Sequence, residues 1–326
     1  MKPFKLVCVL GLVGLLLLSP AAATAAMKVA MVTDIGGLGD QSFNDAAYAG
    51  LKMLEAEYGV EIKVVESSRM EDYVPNLTSL VNQGFDMVWA VGFLMSEALT
   101  QVAAEFPNSH FGIIDAEVSA PNVVSVLFKE EEGSFLVGLV AGAETEKNRV
   151  GFVGGMEFPL IKKFEAGYKA GVKAANPKAT VRSAYSGSFD DPAKGKELAI
   201  AQFMLGADIV YHAAGATGLG VIEAAQSRGA DRYAIGVDMC QHHLAPDNVI
   251  TCMIKRVDLG VFEGTKALIE GNFVGRTLIL GLKENGVGIC DISKQSLSAS
   301  TLALVEEYSS KIISGALVVP TDPTGL

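Results

Sequence analysis

The sequence predicts an α/β protein of two doubly wound parallel-sheet lobes, and three observations carry that prediction. Apolar segments of four to seven residues alternate with amphipathic ones along the chain, which is the pattern of βα units on parallel sheets. The pattern falls into two similar halves. With 326 residues, half of them hydrophobic, the chain has material for about two domains with cores of their own.

The first 26 residues read as a secretory signal. Lys2 and Lys5 make a basic start, "LVCVLGLVGLLLL" an apolar middle and "AAATAA" a small-residue cleavage zone. The apolar run from Leu6 to Leu18 is shorter than the roughly 20 residues of a spanning helix. Cys8 lies inside this run, whereas a lipid attachment site would follow it. A free, exported periplasmic protein is therefore expected, with cleavage near Ala26 or Met27.

Removing the signal takes away two lysines and no acids, leaving 24 basic against 37 acidic residues, a net charge of −13. Such a chain is a poor partner for nucleic acid, because counterion release requires clustered lysine and arginine. Cys240, Cys252 and Cys290 remain. One pair among them is able to form a disulfide, too few bonds for a disulfide framework.

Strands are expected at "VAMV", "IKVV", "DMVWAV" and "HFGII", then at "VGFV", "TVRSAY", "ADIVYHAA" and "YAIGV". Helices are expected at "FNDAAYAGLKMLEAEYG" and at "PLIKKFEAGYKAGVKAANP", the second stopped by Asn176 and Pro177. Ala49, Gly50 and Lys52 of the first helix recur at one offset as Ala166, Gly167 and Lys169 of the second. Each set follows a strand and a glycine pair, which suggests an internal repeat. The first lobe is expected to span 27–146 with a return segment near 256–280, and the second 147–255 with 281–326.

Ligands of doubly wound sheets sit beyond the carboxyl ends of the strands. The segment "TDIGGLGDQSFN" lies there in the first half. It lacks the glycine spacing and the lysine of a phosphate-binding loop, and its aspartates would repel a pyrophosphate. Ser42 or Asp40 as helix cap accounts for part of its polarity. Asp34, Asn44 and Phe43 are the surplus, read as ligand contacts. Gly154, Gly155, Met156 and Glu157 hold the equivalent edge of the second half. "YHAAGATGLG" offers a floor of small residues that includes Gly215, with one of Tyr211 and His212 facing inward and the other the cleft. Asp115 and Asp238 sit at later strand ends, and Lys255 lies in "MIKRVD". Cys240, His242, His243 and Cys252 lack the spacing of a zinc site, so no metal and no cofactor are expected. Neither a nucleophile elbow nor a triad motif appears.

The blocks "VAMVTDIGGLGDQSFNDAAYAGL", "GFVGGMEFPLIKKFEAGYKAGV", "AAGATGLGVIEAA" and "IGVDMCQ" followed by "MIKRVD" resemble the basic membrane protein family, which includes the purine nucleoside receptor lipoproteins of ABC importers. The resemblance runs from about residue 27 to the end. It implies a type I periplasmic-binding-protein fold with a hinge, a monomer that closes on a purine nucleoside and is then recognised by a membrane permease, and no enzymatic activity. It also implies ligand contacts by Asp34, Phe43, Asn44, Asp115, Asp238 and Lys255, with Tyr211 or His212 as a second aromatic. In that picture Phe43 stacks on the base, Asn44 and Asp115 read its edge, and Asp34, Asp238 and Lys255 hold the ribose. The alternatives are a flavin, nucleobase or sugar in the same cleft, or a nucleoside-processing enzyme.

Overall fold

The computed structural model describes residues 26–326, so the expected signal segment lies outside the described residues except for Ala26. Two six-stranded sheets are present. The first contains β1 (Lys28–Val32), β2 (Glu61–Val65), β3 (Met87–Val91), β4 (His110–Ile114), β5 (Val123–Phe128) and β11 (Arg276–Leu280). The second contains β6 (Arg149–Gly154), β7 (Thr180–Tyr185), β8 (Ile209–Ala213), β9 (Tyr233–Asp238), β10 (Val249–Lys255) and β12 (Val287–Ile289).

The strand orders are β2-β1-β3-β4-β5-β11 and β7-β6-β8-β9-β10-β12, so each strand of one sheet has a counterpart in the other. All pairings are parallel except that of β12 with β10. The central strands are buried on both faces, which is why "MVWAV" reads as an unbroken apolar run and "IVYHA" as one broken only by His212. In both sheets the direction of winding reverses between the first and third strands of the lobe, β1 and β3 or β6 and β8. Doubly wound sheets open a ligand crevice at such a reversal.

Helices α1 (Phe43–Tyr58), α2 (Tyr73–Asn82) and α3 (Ser96–Glu105) belong to the first sheet. Helices α5 (Pro159–Ala175), α6 (Pro192–Met204) and α7 (Thr217–Arg228) belong to the second. Two helices change sides. α4 (Glu130–Glu144) follows β5 of the first sheet but packs on α5 of the second lobe, and α8 (Val257–Ile269) follows β10 of the second sheet but packs on α1 of the first. The repeated glycine sits at each of these contacts. A Cβ at Gly50 would approach the Asp258 carbonyl oxygen to 2.6 Å, and one at Gly167 the Glu131 carbonyl oxygen to 2.2 Å. The repeat seen in the sequence therefore marks where each lobe receives the helix sent over by the other.

The exchange moves one border. The sequence reading ends the first lobe at 146, but α4 packs with α5, β10, β12 and α10 (Ala299–Ile313). The chain leaves the first lobe at Lys129, and the "EEEGSFLVGLVAGAE" helix that follows is apolar on nearly every side because it is sandwiched inside the second. The chain returns to the first sheet through α8 and β11. Trp89 on β3 fixes this return: the ring is fully buried and its Nε1–H donates to Thr265 Oγ1 of α8 at 2.9 Å. The short α9 (Ser293–Ser296) precedes α10.

The lobes are thus joined at three crossings: Phe128 to Glu130, Lys255 to Val257, and Leu280 to Val287. Lys129 N–H donates to Leu280 O at 3.1 Å, Leu282 N–H to Glu132 Oε2 at 2.8 Å and Arg256 N–H to Gly286 O at 2.8 Å, so the three strands of the waist hold one another. Among the described residues no helix is long and apolar enough to cross a membrane.

Candidate ligand site between the lobes

The carboxyl ends of both sheets face one cavity. Asp34, Phe43, Asn44, Asp115, Gly215, Asp238 and Lys255 all line it, joined by Asp40, Phe93, Phe164 and Phe189. The chain thus brings seven of the nine residues singled out in the sequence to one place.

The turn from β1 to α1 is organised by Asp40. Its carboxylate accepts the N–H groups of Ser42 at 2.9 Å, Asn44 at 2.8 Å and Asp45 at 3.1 Å, so Asp40 caps the helix. Ser42 makes no cap bond. Its hydroxyl instead donates to Asp238 Oδ2 of the other lobe at 2.5 Å. Asn44 donates its amide to Asp34 Oδ1 at 2.9 Å and to Asp40 Oδ2 at 3.1 Å. That leaves Asn44 Oδ1 buried with no donor among the described residues. Asn44 therefore offers a ligand an acceptor only.

Asp115 follows β4 and Asp238 ends β9, the counterpart strand, and both take a left-handed backbone with φ of 69° and 63°. This conformation is costly for a residue with a Cβ and is enriched where geometry serves a function. Lys255, at the end of β10, pairs with Asp115 across the cleft. Its ammonium is also 3.9 Å from Glu130 Oε1 and lies 4.9, 5.1 and 5.6 Å from the ring centres of Phe43, Phe128 and Phe164. Burial works against its charge, but Asp115, Glu130 and Asp238 outweigh burial and hold its pKa above the usual lysine value. Asp115 Oδ1 finds no donor among the described residues.

Burial raises Asp34 to about 6, against the lowering effect of its bonds from Asn44 and Gly36. Burial also raises Asp238 to about 6, against Lys255 and Ser42. Glu130, behind Lys255, is pushed up to about 7 by burial. Around the cavity itself stand four carboxyl groups, Asp34, Asp40, Asp115 and Asp238, and one ammonium, Lys255. Their excess of acceptors suits a neutral ligand rich in N–H and O–H groups and repels an anion.

Tyr211 and His212 are not on the cavity wall. Both are fully buried in β8. The Tyr211 ring packs in a cluster with Phe152 and Tyr168, at 5.6 and 5.1 Å between ring centres, and its hydroxyl bonds Ser134 Oγ at 3.1 Å. His212 points to the other face and bonds Gln241. The alternation argument supposed that one face of β8 opens on the cleft. Helices cover both faces, so only residues past the strand end reach the ligand edge, as Ala213, Gly215 and Ala216 do.

The rings that line the second half of the cavity are Phe164 on α5 and Phe189 in the loop after β7. Phe93, from the turn after β3, meets Phe189 edge-on at 6.2 Å and Phe158 at 5.2 Å, so aromatic contacts cross between the lobes. Phe93 follows a strand end and was open to discovery on that ground. Phe189, in "YSGSFDDP", also follows a strand end, that of β7, but β7 is the edge strand of its sheet. Glu157 pairs with Lys162 at 3.0 Å at the surface. Cys240 is bonded to Cys290, and Cys252 is free and buried.

Comparison with known proteins agrees with this fold. The family model described as ABC transporter substrate-binding protein PnrA-like matches residues 27–322. The CD4+ T-cell-stimulating antigen of Listeria monocytogenes is 38% identical over 316 residues, covering 90% of this chain and 88% of that protein. Basic membrane protein A of Borreliella burgdorferi is 36% identical over 302 residues, covering 90% and 88%. Among solved structures, an ABC transporter system solute-binding protein from Aeropyrum pernix superposes with a TM-score of 0.84 at 31% identity, covering 91% of this chain and 94% of that one. The two-lobed architecture is that of type I periplasmic binding proteins.

Proposed function

This chain belongs to the PnrA-like ABC transporter substrate-binding proteins, and from that premise we propose that it binds purine nucleosides between its lobes after export to the periplasm and presents them to a membrane permease. The observation that carries the reading is the pairing of flat apolar walls with orphaned acceptors in one cavity. Phe43, Phe93, Phe164 and Phe189 supply the walls, and Asn44 Oδ1 and Asp115 Oδ1 are buried acceptors with no donor among the described residues.

A buried acceptor left without a donor costs about 1–3 kcal/mol. A purine edge and a ribose diol carry N–H and O–H donors that remove that cost, while the base slides between rings that favour stacking. Asp115 and Asn44 take the edge of the base. Asp34, Asp238 and Lys255 take the ribose hydroxyls. The excess of carboxylates disfavours a phosphorylated ligand, so nucleosides are preferred to nucleotides. Residues from both lobes complete the site, so ligand binding favours the closed form over an open one.

Mass spectrometry of the small molecules released when the purified protein is denatured tests the reading. A purine nucleoside in near-stoichiometric amount supports it. Release of a sugar or a flavin instead overturns it, and release of free base after incubation with nucleoside assigns the site to an enzyme.

A further inference from the structure

Gln241 lies two residues beyond the disulfide-flanked Met239 and is fully buried without lining the cavity. Its Oε1 accepts the Val237 N–H at 3.0 Å and stands 3.0 Å from His212 Nε2. Burial lowers the His212 pKa to about 4, with the Gln241 bond opposing, so the ring is neutral. Its Nδ1 has no partner among the described residues and packs where a Cβ at Gly218 would come within 1.9 Å. The Nε2–H tautomer is the one that gives Oε1 a donor. With Oε1 committed to two donors, the Gln241 NH₂ must point the other way, and it donates to the Gln41 carbonyl oxygen at 3.0 Å.

That carbonyl belongs to the other lobe. Gln41 has a left-handed backbone, φ 52°, and leads directly into Ser42, Phe43 and Asn44. Val237 leads directly into Asp238. The chain His212–Gln241–Gln41 therefore sets the spacing between the ligand-facing residues of α1 and those of β9 through groups that never touch the cavity. Ser42 and Asp238 bond alongside it, and His243 Nε2 lies 3.2 Å from Gln41 Oε1 at the surface. On the other side of Gln241, the Cys240–Cys290 bond ties the loop to the end of β12, so the donor is presented from a braced turn.

We propose that Gln241, oriented by His212, is a positioning residue that holds the two halves of the ligand site in register by a cross-lobe hydrogen bond made only when the lobes are together. The ligand-facing part of this inference rests on reading the cavity as a nucleoside site; the cross-lobe part does not.

Gln241→Glu is the discriminating variant. It keeps both acceptor bonds, to Val237 and His212, and is measured from pH 6 to pH 9, because burial favours the protonated acid and only as a carboxylate does it lack a proton for Gln41. Gln241→Met, of similar shape and without polar atoms, guards against misfolding of the first. Stopped-flow binding of inosine and guanosine should show dissociation about tenfold faster in both variants, the loss of one buried hydrogen bond, with association rates within about twofold. Small-angle scattering of the ligand-free proteins should give a larger radius of gyration for the variants than for the parent. Dissociation rates and radii equal to those of the parent overturn the proposal. If the parent binds neither nucleoside, the ligand reading fails and the scattering comparison alone decides on the bridge, a parent no more compact than the variants overturning it.

Discussion

The Lys255 ammonium of the second lobe is paired with the Asp115 carboxylate of the first, with side-chain exposures of only 2% and 4%. The pair joins β10 to the end of β4 across the cleft, and Phe43 lies against the same ammonium. The candidate site is thus tied together across the two lobes by this pair.

Breaking that pair should weaken closure more than folding. Lys255→Met leaves Asp115, Asp238 and Glu130 facing one another, and truncating one partner of a buried pair costs about 3–5 kcal/mol when water cannot reach the other. An open form lets water in, so most of the cost falls on the closed state. Nucleoside affinity should drop by roughly two orders of magnitude or more on that basis, with a much smaller change in Tm. Calorimetry and thermal melts on the same samples separate the two.

Aromatic truncation sorts wall from core. Phe43→Ala and Phe189→Ala should each cost about 1–3 kcal/mol of affinity, or roughly 5- to 150-fold, the usual value of a base stacked on an aromatic ring. Tyr211→Phe removes only the bond to Ser134. It should leave affinity unchanged while lowering stability by about 1 kcal/mol, read from denaturant unfolding.

The raised carboxyl groups give stability and affinity opposite pH trends. Asp34 and Asp238 ordinarily titrate at 3.8 and are raised to about 6 by burial, so the folded form holds protons that the unfolded form has released. Their contribution to stability is complete below 3.8 and is lost as the pH rises through about 6. The Asp34→Asn, Asp238→Asn double variant, always neutral, should gain Tm relative to the parent between pH 5 and pH 8. A ligand that donates to these carboxylates prefers them ionised, so affinity in the parent should fall as the pH drops below about 6, and the variant should lose that dependence.

Reduction of the Cys240–Cys290 bond should lower stability. The bond closes a loop of 50 residues, for which chain entropy gives about 4 kcal/mol as an upper figure. Melts with and without reductant, compared with Cys240→Ser, check the assignment. A drop in the parent that is absent from the variant is the expected result.

Much of this architecture was legible because parallel strands buried on both faces leave continuous apolar runs, and "VAMV", "DMVWAV" and "HFGII" all became strands. The gathering of seven candidate residues around one cavity was legible for a related reason: in a doubly wound sheet the loops after the strands face a common crevice. The same rule failed within a strand. Tyr211 and His212 were assigned by alternation, which separates faces only when one of them is open, and here helices cover both. Phe189 escaped because β7 is an edge strand, and the sequence does not say whether the loop after an edge strand turns into the cleft. The lobe border escaped because α4 is sent to the opposite lobe, an exchange that local hydrophobic periodicity does not encode.

Titration calorimetry of ligand-stripped protein with inosine, guanosine, adenosine and inosine 5′-monophosphate tests the central claim most directly. Tight one-to-one binding of at least one nucleoside, with binding of the monophosphate far weaker, is the predicted result. No heat with any nucleoside, or monophosphate binding as tight as that of inosine, would contradict a neutral, donor-rich heterocycle held between these rings and carboxylates.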